Sequence, residues 1–217
     1  PAPVAAPGCR RSTPPGGAGA TVGGVRVIAG SSRGRRLPAR LPAGIRPTSD
    51  RVKESIFDIL GSMGVVPGAD VLDLYCGSGA LGLEALSRGA RSVTFVDHDG
   101  AALDAVRANR AATGLAGAAA TLVRADLPGW LGRVGRAGLA LCDPPYAFGD
   151  WAALLGELRA DVAVLESAAE VDVPEGWVVA RSRRYGGTLV TVVTTTSRHP
   201  LSPRRAGAPS SAPAGAP

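Results

Sequence analysis

The sequence predicts an α/β fold: a doubly wound, mostly parallel, seven-stranded sheet with a small N-terminal β-hairpin and helix extension. Three observations carry this prediction. From Asp70 onward, short apolar runs alternate with stretches of helical periodicity, the pattern of successive βαβ units. A glycine turn, Gly77-Ser78-Gly79, joins the first of these runs to the first helix behind it. Acids then stand at the carboxyl ends of later runs, at Asp97, Asp126 and Asp143, where sheets of this kind bind their ligands.

The elements follow in chain order. Residues 25–30 read as a short strand, and Gly30 and Gly34 punctuate a basic hairpin that reaches Leu37. Val52, Ile56, Ile59 and Leu60 have helical spacing over residues 51–60, and Phe57 widens that face. Thr48, Ser49 or Asp50 supplies the cap, and Gly61 or Gly64 the stop. Residues 71–76 form the first strand of the main sheet, and 80–88 a helix with Leu81, Leu83 and Leu86 on its apolar face. Strand 92–97, helix 100–112 and strands 121–126 and 138–142 continue the alternation. Helix 151–158 and strand 162–165 complete it, and strands 177–180 and 188–194 close the sheet as an antiparallel hairpin through Gly186-Gly187. Residues 1–24 and 198–217, rich in Pro, Ala, Gly and Ser, are expected to be disordered tails. Between them lie a basic hairpin and helix over 25–64 and the main α/β domain over 65–197.

Composition narrows the function classes. The chain has 217 residues and a formal charge of +6, with Lys53 its only lysine. Arg26, Arg33, Arg35, Arg36, Arg40, Arg46 and Arg51 crowd into one short region with few acids, which favours a phosphate-rich partner. Cys9, Cys76 and Cys142 form no paired pattern, and His98 and His199 are isolated, so neither a disulfide framework nor a metal site is expected. No run approaches membrane-spanning length, and a cytoplasmic location is the expectation.

Gly77-Ser78-Gly79-Ala80-Leu81-Gly82 matches G-x-G-x-x-G between a strand and a helix, with Asp97 at about the distance expected of a ribose-binding acid. This spacing serves a dinucleotide or S-adenosylmethionine equally. Asp73, inside the first strand, suits a cationic ammonium group better than a phosphate. Asp143-Pro144-Pro145-Tyr146 favours the second ligand. Two consecutive prolines stiffen the strand end and supply no N–H. Asp143 and the Pro144 carbonyl can hold the two hydrogens of an exocyclic amine, Tyr146 can stack on its ring, and the nitrogen lone pair can then attack a sulfonium methyl. Phe148 could join the stack or simply pack. Asp99 reads as a helix-capping acid.

Taken together, residues 46–54, 71–88 and 143–146 resemble the bacterial 16S ribosomal RNA (guanine(966)-N(2))-methyltransferase family, and residues 183–188 are similar to that family's closing hairpin. The resemblance covers about residues 25–194. It implies a class I S-adenosylmethionine-dependent methyltransferase domain at 65–197, cofactor contacts at Asp73, Gly77, Gly79, Asp97 and Asp126, and a target amine held at Asp143, Pro144 and Tyr146. The implied partner is 16S rRNA, or a partly assembled small subunit, bound by a monomer. An amine within a duplex is out of reach, so the base must be flipped or unpaired. Arg33, Arg35, Arg36, Arg46 and Arg51 are the candidate RNA contacts. Cys76 and Cys142 depart from the family's usual residues, and two thiols beside the site predict oxidant sensitivity. The rival acceptors are a DNA adenine or cytosine and a protein glutamine. The rival classes are a non-catalytic RNA-binding protein and a dinucleotide oxidoreductase.

Overall fold

The main sheet grows from strands whose side chains are apolar on both faces, as burial between two helical layers demands. A computed structural model describes residues 25–39 and 49–196; both expected tails, as well as Arg40 and Arg46, lie outside them. The strands are β1 (Asp70–Leu74), β2 (Ser92–Asp97), β3 (Ala120–Arg124), β4 (Ala137–Cys142), β5 (Ala160–Ser167), β6 (Trp177–Tyr185) and β7 (Thr188–Thr195). They form a seven-stranded sheet in the order β3-β2-β1-β4-β5-β7-β6. The first five run parallel, and β7 is antiparallel to both its neighbours. Strand order therefore reverses between β1 and β4, and a crevice opens at their carboxyl ends.

Alternate side chains serve opposite layers. Val71, Leu139, Leu141, Val162, Val164, Val190 and Val192 pack beneath α1 (Asp50–Met63), α2 (Ala80–Ser87) and α3 (Gly100–Ala112). Leu72, Leu74, Ala140, Leu165 and Val193 face the second layer, which holds α4 (Trp151–Glu157) and a 3₁₀ turn at Leu131–Arg133. Ser49 caps α1 by accepting the Val52 N–H, and Gly64, with φ 64°, ends it. Asp99 caps α3 through the Ala101 N–H.

The N-terminal hairpin is less regular than its sequence predicts. Its ladder is reduced to a single antiparallel bridge, Arg26 with Arg36. Just beyond it, the Ile28 and Ala29 N–H groups bond to the Glu84 carboxylate at 2.7 and 3.0 Å. Val27 and Leu37 nevertheless enter the same apolar cluster as α1 and the sheet. β6 runs to Tyr185 rather than ending near Ala180. As the sheet's edge strand it exposes Arg181, Arg183 and Arg184, a polar stretch beyond the expected strand end that guards the edge.

Candidate active site

Every group on the carboxyl rim is set by the strand that ends there. β1 leaves through Tyr75, held at φ 58°, and then Gly77 and Gly79 at φ 52° and 77°. Glycine adopts this left-handed region at little cost. Asp97 at the end of β2 clasps the turn, with one carboxylate oxygen accepting the Gly77 N–H at 2.9 Å and the other the Asp99 N–H at 3.0 Å. Gly82 has a different task. A Cβ there would lie 2.4 Å from the Phe95 ring and 2.7 Å from the Asp73 carboxylate, so its absence lets α2 settle onto the sheet. The Gly82 N–H donates to Asp73 at 2.9 Å. Asp126, exposed, lies just past β3, where the Ala125 N–H donates to the Asp97 carbonyl at 3.1 Å.

Asp73 is 2% exposed. Burial pushes its carboxyl well above the usual carboxylate range despite the Gly82 N–H, and the charges of Asp143 and Asp97 push the same way. Three carboxylates thus share one field. A cationic ligand relieves that crowding, whereas a pyrophosphate would add to it. The arrangement is compatible with the sulfonium and ammonium groups of S-adenosylmethionine: Asp73 would face the positive charge, and Asp97 would have acceptor positions for ribose hydroxyls.

On the other side of the crevice, β4 ends at Cys142 and Asp143 turns away with its N–H 3.5 Å from the Leu74 carbonyl. Pro144 is buried and Pro145 exposed, and the Phe148 N–H closes the turn on the Pro145 carbonyl at 2.8 Å. Tyr146 is 60% exposed and its hydroxyl stands 3.3 Å from that of Thr188. Lip and closing hairpin bound one cleft, lined by Asp143, Pro144, Tyr146, Glu166, Tyr185 and Thr188, with Ser49 and Val52 from the start of α1. Phe148 meets Tyr75 and Trp151 at ring distances of 5.5 and 5.0 Å, so it also packs beneath the lip.

Sequence reasoning missed Glu166 and Thr188. Glu166 stands at a strand end like Asp97 and Asp143, and stopping β5 at Leu165 concealed it. Among the described residues, the arginines of the basic segment are divided between different parts of the surface. The turn carrying Arg33 and Arg35 packs on the carboxyl ends of α2 and α3, where the Ser31 N–H donates to the Ser87 carbonyl and the Ser32 hydroxyl donates to the Thr113 carbonyl. Arg36 pairs with Arg26, which is bonded to Asp50, and Arg51 is exposed on the first turn of α1. Arg46 lies outside the described residues. Cys76 and Cys142 are both buried, and burial pushes both thiols up. A protonated, enclosed thiol reacts poorly, which removes the physical basis for the expected oxidant sensitivity. No helix among the described residues is long and apolar enough to cross a membrane.

Comparison with known proteins bears on the family and the fold. The family described as "Conserved hypothetical protein 95" matches residues 25–194. Ribosomal RNA small subunit methyltransferase D of Escherichia coli is 35% identical over 175 residues, covering 76% of this chain and 86% of the relative. YlbH of Bacillus subtilis, an rRNA methyltransferase by name, is 39% identical over 183 residues, covering 77% and 97%. The solved structure of yhhF from Escherichia coli, described as a methyltransferase, superposes with a TM-score of 0.69 at 33% identity, covering 80% of this chain and 98% of that one. The chain therefore belongs to the conserved hypothetical protein 95 family, that of ribosomal RNA small subunit methyltransferase D, and has the class I methyltransferase fold.

Proposed function

We propose that this chain methylates the exocyclic N2 amine of a guanine in 16S rRNA, using S-adenosylmethionine, as a cytoplasmic monomer acting on the rRNA or a partly assembled small subunit. One observation carries the reading: the glycine turn and the Asp143–Tyr146 lip leave adjacent strands, β1 and β4, paired through Leu74 and Cys142. A cationic ligand on the first and a flat amine on the second would meet across the switch in strand order. Bound S-adenosylmethionine supplies an electrophilic methyl on sulfur.

The protein's part is positioning. A guanine amine is a weak nucleophile because its lone pair is shared with the ring. Hydrogen bonds from its two hydrogens to Asp143 and the Pro144 carbonyl draw the nitrogen toward tetrahedral geometry, and Tyr146 fixes the ring plane. The lone pair forms the new N–C bond as the S–C bond breaks, with that electron pair staying on sulfur. The surplus amine proton leaves to Asp143 or to water.

Labelled methyl should enter small-subunit particles or naked rRNA, and not duplex DNA or a release factor, when all are offered in parallel. The Asp143→Ala variant should lose at least about 100-fold in transfer rate while S-adenosylmethionine affinity stays within about threefold. Transfer to DNA or to protein, or a fully active Asp143→Ala enzyme, would overturn the assignment.

A further inference from the structure

Glu166 places a second carboxylate in the acceptor cleft, beside the one assigned to the amine. The last residue pair between β4 and β5 is Cys142 with Leu165, so Asp143 leaves its strand alongside Glu166. The alternation of side chains puts both on one face. Leu139 and Leu141 on β4, and Val162 and Val164 on β5, belong to the layer under α1, and Asp143 and Glu166 continue those two series. On the other flank Glu166 pairs with Val190 of β7, also in that layer, two residues beyond Thr188. Glu166 is 5% exposed and lines the cleft with Tyr146 and Tyr185. Glu166 is also engaged within the protein, and a carboxylate has about four acceptor positions.

We propose that Glu166 selects guanine by accepting its ring N1–H while Asp143 holds the neighbouring N2 amine. The inference rests on the methyl-transfer reading above and supplies the base specificity that the lip lacks. Guanine carries N1–H and N2–H2 side by side, two donor groups for two carboxylates. Adenine and cytosine instead set their amine beside an unprotonated ring nitrogen. Opposite Glu166 that nitrogen would bring lone pair against lone pair, the kind of mismatch on which discrimination is built. A glutamine amide has no adjacent ring N–H for Glu166 to read.

2-Aminopurine isolates the proposed contact, because it keeps the 2-amine but has no N1–H. Small-subunit rRNA carrying guanine or 2-aminopurine at the methylated position is offered to the wild type, Glu166→Gln and Glu166→Ala, and methyl incorporation is counted. The wild type should prefer guanine by roughly 10- to 100-fold in kcat/KM. Both variants should bring that ratio toward about one, through loss on guanine and relief of the mismatch with 2-aminopurine, with S-adenosylmethionine affinity changing by less than about threefold. Equal losses on the two bases, leaving the ratio intact, would mean that Glu166 only supports the cleft. If the wild type methylates guanine but no variant alters the ratio, the inference fails alone; if it methylates no guanine in any small-subunit RNA, the reading beneath it fails too.

Discussion

Asp73 shows how a single buried acid can cost stability. It is buried in the centre of the sheet, its carboxyl raised by desolvation and by the nearby charges of Asp143 and Asp97. A group whose folded pKa exceeds its unfolded value, near 3.9 for Asp, binds extra protons on folding. Stability then falls as pH rises from about 4 toward the folded pKa, and at neutral pH the fold carries that cost. Asp73→Asn keeps an oxygen for the Gly82 N–H and removes the charge. Without S-adenosylmethionine, this variant should melt roughly 2–4 °C above the wild type at pH 7 for each kcal/mol recovered, and the gap should close toward pH 4. S-adenosylmethionine affinity should drop about tenfold or more, because the ammonium loses its counter-charge. Thermal melts across pH with a binding titration check both, and a variant less stable than the wild type at pH 7 would refute the argument.

At the scale of elements, Glu84 binds three pieces of chain together. Its carboxylate takes the Ile28 and Ala29 N–H groups from the N-terminal arm, Arg88 at 2.7 Å within its own region of α2, and stands 3.6 Å from Lys53 of α1. Lys53, fully buried, also donates to the Arg26 carbonyl, and burial lowers its pKa against the pull of Glu84 and Asp50. The two partners are not equivalent. Glu84→Leu strands two arm N–H groups and a buried ammonium, and should cost about 3–5 kcal/mol. Lys53→Met leaves Glu84 paired with Arg88 and should cost only about 1–2 kcal/mol. Urea unfolding of the two variants tests the order, and equal losses would contradict it. This clamp was hard to read in the sequence because its partners are far apart along the chain. A hint was present nonetheless: α2 is buried nearly all round, so its one acid had to be buried with partners. β2 and α3 fall where expected because Asp97 and Asp99 mark their ends, whereas β6 carries arginines where a buried strand would carry valines. Asp143 was legible through its two prolines, and Glu166 was not, having only an ordinary Leu-Glu-Ser context.

Across the whole molecule, the sheet separates two ends that the sequence presents as one basic segment. Helices joining parallel strands run back along the sheet, so the carboxyl ends of α2 and α3 lie opposite the rim that carries Asp73, Asp97 and Asp143. Arg33 and Arg35 are on the turn packed at that far end, with Arg35 against Gly114. Arg51, by contrast, follows Ser49 on the first turn of α1, which lines the acceptor cleft, and Arg183 stacks over the Tyr185 ring at 5.4 Å on the opposite wall. An RNA strand delivering its base between those walls would run past Arg51 and Arg183 first. Each phosphate contact on a single strand contributes about 0.7 to the slope of log affinity against log salt. Arg51→Ala and Arg183→Ala should therefore weaken binding of a single-stranded small-subunit rRNA fragment and reduce that slope by about 0.7 each. Arg33→Ala and Arg35→Ala should leave both affinity and slope within error. Titrations of the four variants at several salt concentrations decide it, and a slope lost through Arg33 or Arg35 instead would put the RNA path across the end of the sheet remote from the cleft.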